Sequence, residues 1–340
     1  MAPLPQYVYV EESVLSDPRT EGLLDRLPRA RVIECERYGE IFNRRAQDFR
    51  LQKDRPAWIV ARKTGRWVLE APAGYGLGGQ ENYYFSHMLN CLYDCGYCFL
   101  QGMFRSAHYL WFVNYDECMD AIEERLAASD QEAVWFFSGY DCDSLAAEPM
   151  TRFAEEFLPF FRERPRAWLE LRTKSVRIES LLEVEPVDNC VVAFSFTPEE
   201  VHRELEGGVP SVAKRVAAAD RLLARGWRVG LRFDPLIWSP DFEARYERLF
   251  KAVWEGLGDA ALHSVSLGSF RLPKSFYSRM SRMKPQDPLL AGPLVESDGL
   301  VGYRPELEAA MLERVGAMLL ERVPEAIFFP CHTSQSPDLL

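Results

Sequence analysis

The sequence predicts an α/β protein in which a small N-terminal α/β domain precedes an open, partial (β/α)6 barrel of the TIM type. From about residue 81, strand-like segments rich in β-branched and aromatic residues alternate with helical patterns six times, which indicates a parallel sheet covered by helices. Six units are too few to close an eight-stranded barrel. A Pro- and Gly-rich segment, residues 71–79, separates these units from what precedes them, so we predict domains over residues 1–80 and 81–340.

The N-terminal domain is predicted from three short strands and one helix. The strands are expected at residues 6–10, 31–35 and 57–62, and the helix at residues 21–27. Strand–helix–strand spacing of this kind is typical of a small α/β layer.

The barrel elements follow one another in a regular order. Strands are predicted at residues 82–86, 134–137, 168–172, 190–195, 228–233 and 263–267. Helices are predicted at residues 115–128, 150–162, 178–183, 212–225 and 242–257, and a helix at 305–323 and a short strand at 326–329 close the chain. Active sites of such barrels lie at the C-terminal ends of the strands, so functional residues are expected there.

Three cysteines, Cys91, Cys95 and Cys98, follow the first barrel strand with the spacing C-x3-C-x2-C. Three thiolates on one short loop can hold three corners of a [4Fe–4S] cluster and leave the fourth iron without a protein ligand, whereas ordinary electron-transfer clusters take four cysteines. The open iron can bind a small chelating molecule, so the spacing predicts a reactive cluster.

Zinc binding, a disulfide framework and a chance arrangement are the alternatives. Structural zinc usually takes two ligand pairs, but the other five cysteines are isolated, and only His332 stands beside one of them, Cys331. Disulfide frameworks suit small secreted chains, and this chain has 340 residues and an N-terminus without a basic region or an apolar core. We therefore expect a protein of the reducing cytoplasm.

The charge of the chain argues against broad nucleic-acid binding. The net charge is −11, whereas non-specific binding needs a basic surface. One local segment, residues 271–284, carries five basic residues and no acid. Its basic side chains and one aromatic are candidates for phosphate contacts and base stacking, and a solvated basic helix face is the alternative: Arg271, Lys274, Tyr277, Arg279 and Arg282. No apolar run is long enough for a membrane helix, so no membrane partner is expected.

The cysteine motif, with Tyr97 just before its third cysteine, resembles that of the radical S-adenosylmethionine (radical SAM) enzymes. The resemblance implies a [4Fe–4S] cluster that binds S-adenosylmethionine (SAM) and, on receiving an electron from a donor such as flavodoxin or ferredoxin, generates a 5′-deoxyadenosyl radical. The cofactors then perform the hard chemistry and the protein positions them.

Further segments narrow the resemblance to the spore photoproduct lyase family. The similar segments are residues 7–12, 98–101, 195–200, 205–215 and 226–237. The resemblance implies repair of the methylene-bridged thymine dimer in DNA. It also implies that SAM contacts Tyr97, Ser138, Gly139, Lys174 and Ser195. For Lys174 and Ser195, a solvated lysine and a strand-end cap are the ordinary alternatives.

Two hydrogen-transfer positions depart from the family. The family has a cysteine that donates hydrogen to the product radical, and Tyr140 occupies that position here. Cys142 lies two residues further on, where a small loop shift could place its thiol in the cavity, and an inert structural cysteine is the alternative. The family also has a tyrosine after the third cluster cysteine, where this chain has Phe99. Cys142, Tyr97 and Tyr140 are therefore the candidate catalytic residues.

Three hypotheses for the function remain open from the sequence. The first is a radical SAM lyase that repairs a DNA lesion. The second is a radical SAM enzyme of the same fold acting on a nucleoside, peptide or small metabolite, which the acidic charge and the altered donor positions favour. The third is a cluster-bearing sensor without turnover.

Overall fold

The computed structural model describes residues 5–72, 75–77, 79 and 81–331. The chain begins with alternating strands and helices: β1 (Tyr7–Glu11), α1 (Pro18–Arg26), β2 (Arg31–Cys35), α2 (Phe49–Asp54) and β3 (Trp58–Ala61). Helix α1 begins where sequence rules place a helix start, because Asp17 accepts a hydrogen bond from the Arg19 N–H at 2.8 Å and Pro18 occupies the first helical position. The predicted N-terminal strands and helix are thus present with small shifts at their ends.

The next part of the chain supplies strands to both large sheets. Its elements are β4 (Val68–Glu70), β5 (Glu81–Phe85), β6 (Met88–Leu89), β7 (Asp94–Cys95), α3 (Leu100–Met103) and β8 (Tyr109–Phe112). The N-terminal sheet has the order β2-β1-β3-β8-β6, so it is completed by strands that lie beyond residue 80. Strand β8 was not predicted, because its four residues form a short apolar run that periodicity alone cannot distinguish from a buried helix segment, and it lies outside the regular strand–helix alternation of the barrel. The division into domains at residue 80 stays a prediction.

The remaining elements build and cover the barrel. They are α4 (Tyr115–Ala127), β9 (Val134–Phe137), α5 (Glu148–Thr151), α6 (Phe153–Arg162), β10 (Ala167–Thr173), α7 (Glu179–Leu182), β11 (Cys190–Ser195), α8 (Glu199–Leu205), β12 (Glu206–Gly207), α9 (Val212–Ala224), β13 (Arg228–Leu236), α10 (Phe242–Leu257), β14 (Ser264–Ser269), β15 (Arg271–Pro273), α11 (Lys274–Met283), β16 (Leu294–Ser297), β17 (Leu300–Tyr303), α12 (Pro305–Leu320) and β18 (Phe328–Pro330).

The main sheet has the order β18-β14-β13-β11-β10-β9-β5-β4. The six predicted strands, β5, β9, β10, β11, β13 and β14, are parallel neighbours in this sheet. Strand β18 extends one edge in parallel, and β4 closes the other edge antiparallel to β5. The predicted partial (β/α)6 barrel is therefore confirmed, with one extra strand at each edge.

One predicted helix is divided in two. Residues 150–162 were expected to form a single helix, but Arg152 has a φ of 52°, in the left-handed region, and separates α5 from α6. The buried Glu148 carboxylate accepts a hydrogen bond from the Ala154 N–H at 2.9 Å and so caps the second helix. In the part of the chain that the structure describes, no helix is long and apolar enough to span a bilayer.

Candidate active site

The cysteine loop follows β5 at the C-terminal edge of the main sheet and is held by backbone hydrogen bonds. Its strand β7 pairs antiparallel with β12, which places Cys95 opposite Glu206. The Gly96 N–H donates to the Leu205 carbonyl oxygen at 2.7 Å, and the Cys98 N–H donates to the Cys95 carbonyl oxygen at 3.0 Å. These hydrogen bonds fix the cysteine loop to β12 and to the end of α8.

The three cysteine thiols open into one cavity of about 280 Å³ at the barrel mouth. Of the residues predicted for the site, the structure brings these to the cavity wall: Cys91, Cys95, Tyr97, Cys98, Gly139, Tyr140, Cys142, Lys174, Ser195 and Arg271. The remaining predicted residues do not line this cavity: Ser138, Lys274, Tyr277, Arg279 and Arg282.

The three sulfur donors lie on one loop and fit the three protein-held corners of a [4Fe–4S] cluster. Among the described residues, no group of three or more His, Cys, Asp or Glu side chains converges closely enough to hold one ion. A tetrahedral zinc ion draws its ligands to one centre, whereas a cluster distributes its thiolates over different irons. Burial raises the pKa of the Cys91 thiol to about 12 and also raises the pKa of Cys95 and of Cys98. The positive charge of bound iron would be needed to hold these groups as thiolates.

Lys174 supplies a positive charge beside the cluster loop. It follows β10, and its Nζ lies 5.5 Å from the ring centroid of Tyr97. Burial opposes its charged form, but attraction from Cys95 and Glu206 outweighs burial and raises the pKa of Lys174. Ser195, at the end of β11, contributes a hydroxyl to the same cavity. An ammonium and a hydroxyl in this place can bind a carboxylate and a polar group of a ligand.

Tyr97 is anchored by a buried acid that the sequence did not single out. Its hydroxyl donates to the Glu206 carboxylate, which also accepts from the Thr197 hydroxyl at 3.0 Å and from Arg215 Nη2 at 2.8 Å. Burial disfavours the carboxylate form of Glu206, but hydrogen bonding to His202 and the charge of Arg215 hold its pKa well below the usual range. The phenol of Tyr97 therefore faces an ionised acceptor.

Cys142 lies in the cavity wall. In the sequence it stands two residues beyond the position of the family's hydrogen-donating cysteine. Its Sγ is 3.9 Å from His87 Nδ1 and 3.8 Å from the Ser138 carbonyl oxygen. Burial raises the pKa of the Cys142 thiol, and burial lowers the pKa of His87 to about 3. Both groups are therefore neutral at physiological pH, and the sulfur carries its hydrogen.

Tyr140 belongs to an aromatic cluster at the cavity wall. Its ring centroid lies 4.4 Å from that of Tyr84, 5.3 Å from that of Phe99 and 5.6 Å from that of Tyr75. Phe99 also stacks on Phe276 at 6.5 Å. Tyr140 presents a phenol to the cavity, whereas Phe99 has no hydroxyl to offer.

Ser138 and Asp143 organise the strand ends at the cavity: Asp143 lines the cavity, whereas Ser138 does not. The Ser138 hydroxyl is fully buried and lies 2.8 Å from the Ser144 hydroxyl oxygen and 3.0 Å from the Glu170 carbonyl oxygen. The Asp143 carboxylate accepts from the Thr173 hydroxyl and from the Lys174 N–H, both at 2.6 Å. Asp143 thereby ties the loop after β9 to the end of β10 and orients Lys174.

The basic segment 271–284 forms β15 and α11, and several of its side chains are occupied within the chain. Arg279 Nη1 donates to the carbonyl oxygens of Gly102 and Met103 at 2.5 and 2.7 Å, which ties α11 to α3. The Tyr277 hydroxyl donates to the Leu290 carbonyl oxygen at 2.8 Å. Lys274 is exposed and bonds to Glu296 at 2.7 Å, whereas Arg282 is exposed and bonds to a carbonyl oxygen of its own helix.

Sequence reasoning missed four charged residues of the site and its support: Asp143, Arg172, Glu206 and Asp234. Three of them were within reach of a sequence argument, because Asp143, Arg172 and Asp234 lie at or just after strands whose C-terminal ends form the barrel mouth. Glu206 gave no such signal, since it follows a short helix and reaches Tyr97 only through the pairing of β12 with β7.

Comparison with known proteins places the chain in a family. The family model for spore photoproduct lyase matches residues 4–282. The spore photoproduct lyase of Bacillus subtilis (strain 168) is 22% identical over 270 residues, which is 77% of each sequence. That of Clostridium acetobutylicum is 22% identical over 209 residues, covering 61% of this chain and 62% of that protein.

Solved structures show the same architecture. A spore photoproduct lyase mutant with bound AdoMet and dinucleoside spore photoproduct matches with a TM-score of 0.86 at 17% identity, over 98% of this chain and 100% of that chain. A spore photoproduct lyase complexed with dinucleoside spore photoproduct matches over the same shares with a TM-score of 0.84, also at 17% identity. At this identity the likeness shows a shared fold, and the family follows from the sequence model, which spans well over half of the chain. The chain belongs to the spore photoproduct lyase family of radical SAM enzymes, as its cysteine motif and sequence segments indicated.

Proposed function

We propose that this chain is a radical SAM lyase that repairs a methylene-bridged thymine dimer in DNA. One observation carries the proposal: the three thiols of a family-matched C-x3-C-x2-C motif open into a single cavity at the mouth of a partial barrel. The proteins that this chain resembles are spore photoproduct lyases, and one solved relative holds AdoMet together with dinucleoside spore photoproduct.

The cofactor side of the cavity has the groups that a cluster and SAM require. Cys91, Cys95 and Cys98 would hold a [4Fe–4S] cluster, which with SAM and one electron supplies a 5′-deoxyadenosyl radical. The ammonium group of Lys174 is proposed to bind the SAM carboxylate, and the Ser195 hydroxyl an amino or ribose group. Tyr97 is proposed to lie near the adenine. The backbone of Gly139, with Ser138 behind it, is proposed to form part of the SAM-binding surface.

Cys142 is proposed to donate a hydrogen atom to the product radical. A hydrogen-atom donor must carry its hydrogen, and burial of both Cys142 and His87 opposes formation of a thiolate–imidazolium pair. Transfer breaks the S–H bond, forms a C–H bond on the substrate and leaves a thiyl radical. The phenols of Tyr97 and Tyr140, which share the cavity, are proposed to relay hydrogen atoms to and from this thiol.

Access to DNA requires that the lesion leave the helix, as in other enzymes that modify bases. We propose that the exposed cations Lys274 and Arg282 on α11 contact phosphates, with Arg271 at the cavity and Arg279 and Tyr277 supporting the helix. A flavodoxin or ferredoxin is proposed as the electron donor. A cytoplasmic location fits the proposal, because free thiols and a reduced cluster need a reducing compartment.

The test uses anaerobically reconstituted protein with a reductant, SAM and a spore photoproduct dinucleotide. We expect reductive cleavage of SAM to 5′-deoxyadenosine and conversion of the lesion to two thymidines that are no longer joined by the methylene bridge, with the phosphodiester of the dinucleotide intact. The Cys95→Ala variant is the control, and it should do neither. SAM cleavage without repair would reject the DNA lesion as substrate and point to another small molecule. Absence of SAM cleavage in the wild-type protein would overturn the proposal altogether.

A further inference from the structure

Three charged side chains in the cavity wall, Arg172, Asp234 and Arg271, have no shared role in the proposed radical chemistry. Arg172 lies near the end of β10, Asp234 lies on β13 and Arg271 begins β15, and all three line the cavity. In the main sheet, β13 lies four strands from β5, the strand that leads into the cysteine loop. Asp234 therefore lies four strands from the strand that leads into the cluster ligands, and Arg172, on β10, lies two strands from it.

Two of these groups lack the partners that enclosed charges normally have. Within the described part of the chain, no salt bridge or hydrogen bond ties the half-buried Asp234 carboxylate to another side chain. Arg271 Nη1 is buried without a hydrogen-bond partner among the same residues. Enclosed polar groups without hydrogen-bond partners cost free energy. A ligand that binds here is therefore expected to supply the missing hydrogen bonds.

Arg172 is fixed from behind and presents its outer nitrogens to the cavity. Its Nε donates to Glu170 Oε1 at 2.8 Å, and Glu170 is fully buried and is also bound by Arg232 Nη2 at 2.7 Å. The guanidinium carbon of Arg172 lies 4.4 Å from the ring centroid of Tyr75. With Nε bound and one face covered by a ring, the Nη atoms are the donors left for a ligand.

Two guanidinium donors and one carboxylate acceptor favour a ligand that offers both hydrogen-bond acceptors and a donor. A phosphate would be attracted by the two arginines but repelled by Asp234. The edge of a thymine base instead offers a carbonyl oxygen, an N–H and a second carbonyl oxygen, which complement a donor, an acceptor and a donor. The rings of Tyr75 and Tyr140 beside these groups provide surfaces on which a base can stack.

We propose that Arg172, Asp234 and Arg271 form a recognition site for the imide edge of a pyrimidine-2,4-dione base. The Asp234 carboxylate accepts the base N3–H, and the two guanidinium groups donate to its carbonyl oxygens. This inference rests on the proposed function, since it assigns the substrate's base to a defined part of the same cavity. It makes these three residues determinants of base specificity.

Binding to the reconstituted, SAM-loaded holoenzyme tests the site without turnover. The probes are dinucleoside spore photoproduct and the same compound methylated at N3 of both bases, which removes the proposed hydrogen bond. We expect wild-type protein to bind the methylated probe at least about tenfold more weakly, which is within the range for one specific base contact. Asp234→Ala should bind the parent probe about tenfold more weakly and no longer distinguish the two probes. Asp259→Ala, at an exposed aspartate, is the control and should keep the discrimination.

Other outcomes would overturn the inference. If wild-type protein binds both probes equally, or binds neither, the imide contact does not exist. If Asp234→Ala loses affinity for SAM rather than for the probe, the carboxylate serves the cofactor. If Asp234→Ala instead binds inorganic phosphate more tightly and Arg271→Met less tightly, the wall is an anion site. Probe discrimination without repair would sustain the recognition site and reject the proposed activity, whereas repair without discrimination would do the reverse.

Discussion

Replacing Glu206 by alanine should destabilise the protein strongly, because it leaves a buried cation without its partner. Glu206 and Arg215 are both fully buried and lie 2.8 Å apart. Arg215 would keep its hydrogen bond to the Ser195 carbonyl oxygen at 2.6 Å, but its charge would be uncompensated. Breaking a buried ion pair from one side costs about 3–5 kcal/mol. The hydrogen bonds lost from Tyr97 and Thr197 belong to the same carboxylate and are not added separately.

The magnitude translates into a measurable thermal shift. An unfolding entropy of about 2.1 cal/mol/K per residue gives about 0.7 kcal/mol/K for 340 residues, so a loss of 3–5 kcal/mol lowers the Tm by about 4–7 °C. Differential scanning calorimetry of the wild-type and Glu206→Ala proteins measures this shift. Glu204→Ala changes an exposed glutamate of the same helix, α8, and should stay within about 0.5 kcal/mol.

The pH dependence of the Tm difference is a second test of the same prediction. The folded-state pKa of Glu206 lies below its ordinary value of 4.5, so its stabilising contribution is fully present above about pH 4.5 and is lost as the pH falls toward the folded-state pKa. The Tm difference between wild-type and Glu206→Ala proteins should therefore be constant from pH 7 to pH 5 and shrink below about pH 4.5. A Tm change no larger than that of Glu204→Ala at pH 7 would refute the reasoning.

Three further predictions concern other parts of the molecule. Cys142→Ala should leave SAM cleavage to 5′-deoxyadenosine intact but slow product formation or divert the product radical; unchanged product yield and rate would mean that the thiol is structural. Gly102→Ala should lower the free energy of unfolding by about 1–3 kcal/mol, because a Cβ there would lie 2.6 Å from the Phe276 carbonyl oxygen. Gly39→Ala, with no atom within 4 Å of its added Cβ, is the control. Equal Tm shifts of the two variants in calorimetry would contradict the predicted clash. Burial opposes the carboxylate form of Glu170, but two arginines outweigh it and hold the pKa of Glu170 at about 2. In Glu170→Gln the loss of stability should therefore persist from pH 7 to pH 5 and diminish below about pH 4.5; a loss that grows on acidification would reverse the expected sign.

The chemistry of the cluster loop could be predicted from the sequence because it is local. Cys91, Cys95 and Cys98 lie within eight consecutive residues, so their spacing alone limits the metal groups that they can hold. The barrel strands could also be predicted from the sequence, because a parallel strand buried on both faces leaves a continuous apolar run, as β9 and β11 do.

Elements that depend on distant partners were missed. Strand β8 takes its place by pairing with β3, about fifty residues earlier in the chain, and with β6. The break at Arg152 depends on the buried cap from Glu148 rather than on any helix-breaking residue. Neither feature leaves a periodic pattern in the sequence, so propensity and spacing could not reveal it.

The sequence by itself determined the cluster motif, the family and the succession of the barrel strands along the chain, because each is encoded in short local segments. Only the tertiary structure decided that the Cys142 thiol reaches the cavity, that Glu206 anchors Tyr97, and that Arg172, Asp234 and Arg271 share one wall. These residues lie on different strands and loops, and they meet because parallel strands bring their C-terminal ends to one edge of the sheet. Separation along the chain does not reveal such contacts, because they depend on the spatial order of the strands in the sheet.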